Sequence, residues 1–188
     1  MRVVLLYKQF MGLIKLFILG ATGYFLTGLY DVAILYKRSL LKKILFIGFF
    51  ITALPYLFLF LQWDSPHSMI VRWILAILLL CFFALLIYSV LLEIPLSSVK
   101  PGMLYCEGTY SFSRHPGFLW FTLINLLISC FFWNLAISLL CLGFILCNLV
   151  LITMEDLALF PKMFPEYSEY KKKTPFLISL QYTNTRSS

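Results

Sequence analysis

A chain of 188 residues that is 62% hydrophobic and 12% charged, with a mean hydropathy of +0.93, carries more apolar side chain than a soluble domain of its size can bury. Its net charge of +7 does not point to nucleic acid. The basic residues lie in short runs between apolar segments, and no basic face with interleaved aromatics appears. The expectation is an all-α, polytopic membrane protein of one domain's length.

The first apolar run covers roughly 10 to 35, after Arg2 and Lys8. No clear small-residue cleavage site follows it, so it reads as a retained span rather than a signal peptide. Its glycines at 12, 20, 23 and 28 offer small faces for close helix packing. The second run, roughly 44 to 63, contains Pro55, which a membrane helix tolerates as a kink. The third, roughly 69 to 92, opens with Arg72 and Trp73 as interfacial anchors. A long polar connection follows, residues 93 to 117, punctuated by proline and glycine.

Apolar sequence then runs from Phe118 to Met154, too long for one ordinary helix. The "FWNL" stretch at 132 to 135 offers a break at Asn134, which predicts a tight hairpin of two short helices; one long tilted helix is the alternative. Beyond Met154 the chain is a polar tail. Residues 1–92 thus form three N-terminal spans, and 93–188 a region of connection, hairpin and tail.

Five spans place eleven basic residues on one side: Lys37, Arg38, Lys42, Lys43, Lys100, Arg114, Lys162, Lys171, Lys172, Lys173 and Arg186. Arg2, Lys8, Lys15 and Arg72 fall on the other. The positive-inside rule puts the connection and tail in the cytoplasm and the N-terminus outside. If the first segment does not cross, the N-terminus moves inside and the rest is unchanged.

The five cysteines include no C-x-x-C pair, and four lie in apolar runs, as packing residues do. The only histidines, His67 and His115, lack ligand-spaced partners, so no metal is expected. His67 reads as solvated, Glu93 and Glu107 as interface charges, and Lys171 to Lys173 as an anchor to anionic headgroups.

A hairpin returns its ends to one face. Arg114, His115, Pro116 and Gly117 enter it, and Glu155 and Asp156 leave it, so a cationic and an anionic cluster should meet at the membrane surface. Two readings follow. In one, the clusters hold a zwitterionic, nucleotide-like ligand. The acids would accept hydrogen bonds from an amine or ribose, while Arg114 and amides near Gly102 and Gly108 would hold a carboxylate or phosphate. Tyr105, Tyr110, Phe118, Tyr167 and Tyr170 would wall a heterocycle or a sulfonium. In the other, Arg114 and His115 are a juxtamembrane anchor and the acids cap a helix end.

"GTYSFSRHPGF" (108 to 118) resembles the G-x-Y-x-x-x-R-H-P-x-Y stretch of the membrane methyltransferases typified by isoprenylcysteine carboxyl methyltransferase and phospholipid N-methyltransferases. A hairpin, the acids Glu155 and Asp156, and "EYSEYKKKTP" (166 to 175) follow in that family's order, over roughly 102 to 178. The resemblance implies S-adenosylmethionine as cofactor. It assigns Gly102, Met103, Leu104, Tyr105, Tyr110, His115, Pro116, Gly117, Phe118, Glu155 and Asp156 to the cofactor site. Glu155 and Arg114 become the catalytic candidates, and a lipophilic acceptor in the bilayer the substrate.

Four positions depart from the pattern. Phe118 stands where the family has tyrosine, Trp120 where many members have glycine, and Gly102 in place of a frequent histidine. Leu151 occupies the position of an arginine that holds the substrate carboxylate in the prenylcysteine enzymes, so the acceptor implied is a lipid or small apolar molecule. No G-x-G-x-x-G follows a strand, which excludes a soluble Rossmann methyltransferase. A sterol-reductase-like enzyme using NADPH, and a non-enzymatic membrane protein with a relic site, are the alternatives.

Overall fold

The computed structural model describes residues 2–97 and 103–178, with side chains from Met11 onward, and every regular element among them is helical. Helix α1 (Arg2–Leu35) is followed by α2 (Ser39–Leu45) and α3 (Ile47–Gln62), which continue one another across Phe46. Helix α4 (Met69–Ile87) passes through a π-helical turn (Tyr88–Leu92) into the short α5 (Glu93–Leu96). The third apolar helix therefore reaches beyond residue 92, and Glu93 belongs to it rather than to the polar connection.

A 3₁₀ turn (Gly108–Ser111) leads to α6 (Pro116–Phe132) and α7 (Leu135–Met154). A second π-helical turn (Glu155–Leu159), α8 (Phe160–Met163) and α9 (Tyr167–Lys173) complete the chain. Four segments are long and apolar enough to cross a bilayer: Met11–Leu35, Ser39–Gln62, Met69–Leu96 and Leu135–Met163. Pro116–Phe132 is shorter, about 25 Å at 1.5 Å per residue. This is a multi-pass membrane architecture.

The hairpin turns where the sequence breaks. Trp133 adopts the left-handed conformation (φ 44°, ψ 46°) that ends α6. The Asn134 carboxamide oxygen then accepts from the backbone N–H groups of Ala136 (2.9 Å) and Ile137 (3.2 Å), capping α7. At the same end of the bundle the Ser65 hydroxyl donates to the Phe131 carbonyl (2.7 Å). The His67 ring bonds the Cys130 carbonyl (2.7 Å), so carbonyls freed at the end of α6 find partners. His67 is thus a structural hydrogen-bonding residue rather than a merely solvated one. Arg72 braces this loop through the carbonyls of His67 and Ser65.

Small residues set the spacing of the bundle. A β-carbon on Gly23 would lie 2.7 Å from the Thr52 backbone nitrogen, and one on Gly48 would lie 2.9 Å from that of Thr27. Helices α1 and α3 therefore pack backbone to backbone. Helix α1 also runs alongside α7. Phe17 stacks on Phe144 (6.1 Å), Phe144 fills the space beside Gly20, and Leu151 lies against Gly28. Inside the bundle Asn125, wholly buried, accepts from the Tyr56 hydroxyl (3.0 Å) and donates to the Phe121 carbonyl (2.9 Å), tying α3 to α6. Helix α4 packs on α6 and turns Leu80 and Phe83 outward, as a lipid-facing helix does.

Gly48→Ala is expected to force α1 and α3 apart and to destabilise the detergent-solubilised protein by about 1–3 kcal/mol, read as a lowered thermal midpoint. An unchanged midpoint would mean that the two helices do not touch at this pair.

Candidate functional site

The second π-helical turn widens the helix where Glu155 and Asp156 lie, and the two neighbouring acids serve different partners. Asp156, 2% exposed, accepts hydrogen bonds from the Arg114 guanidinium, the Tyr167 hydroxyl (2.6 Å) and the Lys171 ammonium (2.8 Å). A carboxylate removed from water needs such a set of donors. Arg114 is buried too. Its backbone N–H donates to the Pro175 carbonyl (3.0 Å), and its guanidinium lies 5.5 Å from the centre of the Phe176 ring. The Tyr170 hydroxyl donates to the Tyr110 carbonyl (2.6 Å). The tail is thereby laced to the start of α6 and the end of α7.

His115 sits just before α6, with Pro116 at the first helical position, where a missing N–H costs nothing. Its ring lies between Phe160 (5.9 Å, stacked) and Phe176 (5.0 Å, edge-on). Burial pushes its pKa down to about 4, against the pull of Asp156, so the imidazole is neutral at pH 7. Nε2 is buried without a hydrogen-bond partner, 3.7 Å from Asp156 Oδ1, and Nδ1 stands 3.8 Å from Glu155 Oε2. Both separations are too long for hydrogen bonds. Glu155 faces α1, where its carboxyl meets that of Asp31.

A fourth acid occupies the same end of the bundle. Glu93, 3% exposed, accepts from the Thr109 N–H (2.6 Å), the Thr109 hydroxyl and the Tyr105 hydroxyl (3.5 Å). Gly108 has φ +53°, and a β-carbon there would collide with the Glu93 carboxylate. The turn at Gly108 thus wraps a carboxylate of the protein itself. The Tyr110 hydroxyl donates to the Ser89 carbonyl in the first π-helical turn (3.1 Å). Burial raises the Tyr110 pKa, and the charges of Glu93 and then Glu155 raise it further.

The structure brings together Arg114, His115, Glu155 and Asp156, the two clusters that a hairpin should unite. Phe118 and Pro116 are buried beside them, and Gly117 lets Val90 approach, where a β-carbon would lie at 2.6 Å. Leu104 and Tyr105 are half-buried, whereas Met103 is 59% exposed. Gly102 lies outside the described residues. The Tyr167 and Tyr170 hydroxyls are engaged within the protein, as is Lys171, which pairs with Asp156 rather than reaching for headgroups. Glu93 is a buried hydrogen-bond hub rather than an interface charge. Asp31 joins the site unforeseen; its only sequence signal was an acid at the end of a span on the same side of the bundle. Trp120 stacks on Phe82 (6.3 Å), its indole nitrogen buried and unbonded. Among the described residues, no three His, Cys, Asp or Glu side chains gather as metal ligands. Comparison with family models, with curated proteins and with solved structures gave no match.

Because the folded His115 takes up its proton at lower pH than the unfolded chain, its contribution is present above pH 6.5 and is lost as the pH falls toward 4. The expected loss is roughly 3 kcal/mol. Denaturant midpoints measured across that range should fall more steeply for the wild type than for His115→Gln. Asp156→Asn leaves the Arg114 charge buried without its partner. It should cost about 3–5 kcal/mol, read by the same measurement.

Proposed function

We propose that this chain is a membrane-embedded S-adenosylmethionine-dependent methyltransferase acting on a lipophilic or small apolar acceptor at the membrane surface. The observation that carries the reading is the meeting of Arg114 and His115, from the R-H-P stretch, with Glu155 and Asp156 across one hairpin end. By the distribution of basic residues, the site and the tail face the cytoplasm.

The side chains suit such a ligand. The Arg114 Nε and His115 Nε2 atoms are buried and unbonded, and Glu155 is not saturated as Asp156 is. An S-adenosyl group when bound supplies a methyl on a cationic sulfur. Transfer from such a centre needs alignment and exclusion of water more than acid–base machinery. Phe160 and Phe176 exclude water around His115, and Tyr110 lends a ring. Arg114 fixes Asp156 and keeps Nε for a carboxylate. Glu155 is the candidate base for the proton that an acceptor gives up. Met103, Leu104, Tyr105, Pro116 and Gly117, like Gly102, are assigned to the site by resemblance.

The test is calorimetric binding of S-adenosylhomocysteine to the detergent-purified chain, with NADPH in parallel. The expected outcome is heat with the homocysteine compound alone, abolished in His115→Ala and in Glu155→Ala, both still monodisperse. Binding of NADPH alone would favour a membrane reductase, and silence from both would favour a non-enzymatic protein.

A further inference from the structure

The end of the bundle opposite the tail holds a cavity of about 470 Å³ lined by His67, Met69, Arg72, Trp73, Ala76 and Phe131. It lies between the start of α4 and the end of α6. The loop from α3 to α4 fixes its shape, because the Ser65 hydroxyl and the His67 ring both hold carbonyls at the end of α6. Arg72 is held in orientation too. Its Nε and Nη2 donate to the His67 and Ser65 carbonyls, and no described residue accepts from Nη1. Among the described residues no carboxylate stands within ion-pair distance of Arg72. Asp64, in the same loop, is exposed and does not line the cavity.

The rest of the lining is apolar: Met69, Trp73, Ala76 and Phe131. Ala76 follows Arg72 by one helical turn, about 6 Å along the axis. Trp63, Trp73 and Trp133 all lie at this end of the bundle, and tryptophan favours the headgroup level of a bilayer. Met69 and Trp73 are 71% and 62% exposed, so the cavity opens to lipid. A guanidinium with no acid beside it suits an anion, and phosphodiester oxygens match its N–H groups. Ser68 caps α4 without a side-chain hydrogen bond, so the positive end of that helix adds to the same field. A free phosphate would leave the apolar walls unused. A zwitterionic lipid would bring an ammonium that no acid in the lining meets.

We propose that this cavity binds one anionic phospholipid, with its phosphodiester on Arg72 and one acyl chain along Met69, Trp73, Ala76 and Phe131. A cavity left empty there would forfeit the contacts of its walls, and a lipid chain restores them. His67 adds a preference for the headgroup. A carbonyl can only accept, so the ring nitrogen on the Cys130 carbonyl, Nε2, carries the proton. Nδ1 of the neutral ring is then an acceptor for a headgroup hydroxyl, as in phosphatidylglycerol. The site is independent of the methyltransferase reading and lies in the leaflet opposite the tail.

The test is native mass spectrometry of the detergent-purified full chain, with phosphatidylglycerol, phosphatidylcholine and inorganic phosphate as probes. One phosphatidylglycerol per chain should be retained, about tenfold more tightly than phosphatidylcholine, and excess inorganic phosphate should not displace it. Ala76→Phe fills the place of the acyl chain and leaves Arg72 untouched. It and Arg72→Gln should each weaken retention by about tenfold. Because Arg72 also braces the loop, Ala76→Phe decides the matter if Arg72→Gln fails to fold. Equal retention of the two lipids overturns the inference. So does phosphatidylglycerol that stays bound to Ala76→Phe, which would place the lipid elsewhere on the chain. Displacement by inorganic phosphate would make the cavity an ion site and overturn the lipid assignment.

Discussion

Asp156 is a carboxylate removed from water at the end of a membrane helix, and such a charge persists only among donors. Three converge on it: Arg114 from the start of α6, and Tyr167 and Lys171 from the tail. Isolated, the charge would be prohibitively costly; so surrounded, it becomes a clasp. The hairpin ends are held together, the tail lies over them, and the Pro175 carbonyl and the Phe176 ring are brought to Arg114 and His115.

The division of labour between the adjacent acids is the physical centre of the site. Asp156 is saturated and holds structure. Glu155, one residue earlier on the π-helical turn, faces α1 and an imidazole that does not bond it. Saturated polar groups resist change, whereas groups that lack partners gain most from a ligand. The buried polar atoms left without a partner here are the Arg114 Nε and the His115 Nε2. Glu93 repeats the saturated pattern at the end of α4, where Gly108 and Thr109 enclose it. Two π-helical turns, each beside a buried acid, mark the same end of the bundle.

The large features were legible because membranes impose them. Apolar runs gave the helices, Asn134 gave the turn, and the turn required Arg114 and Asp156 to meet. Less visible was anything that depends on how one helix faces another. Asp31 reads in the sequence as an acid at a span end, and only the register of Gly28 against Leu151 brings it to Glu155. Glu93 sits where an apolar run ends, so it looked like an interface charge; a π-helical turn carries it inward. Tyr167 and Lys171 were visible as an aromatic and a basic residue, but not as donors to one oxygen pair. Long polar side chains choose partners by geometry that spacing does not encode.

The account's central claim is that the S-adenosyl ligand is held at this end of the bundle and nowhere else. The far end offers a cavity of about 470 Å³ lined by His67, Met69, Arg72, Trp73, Ala76 and Phe131, so an alternative location exists within the same molecule. Ultraviolet cross-linking of isotopically labelled S-adenosylmethionine, followed by mass mapping of the modified peptides, separates the two. The account predicts label on peptides that carry Tyr105 to Phe118 or Glu155 to Tyr170. Label confined to the peptide that carries His67 to Ala76 would contradict it.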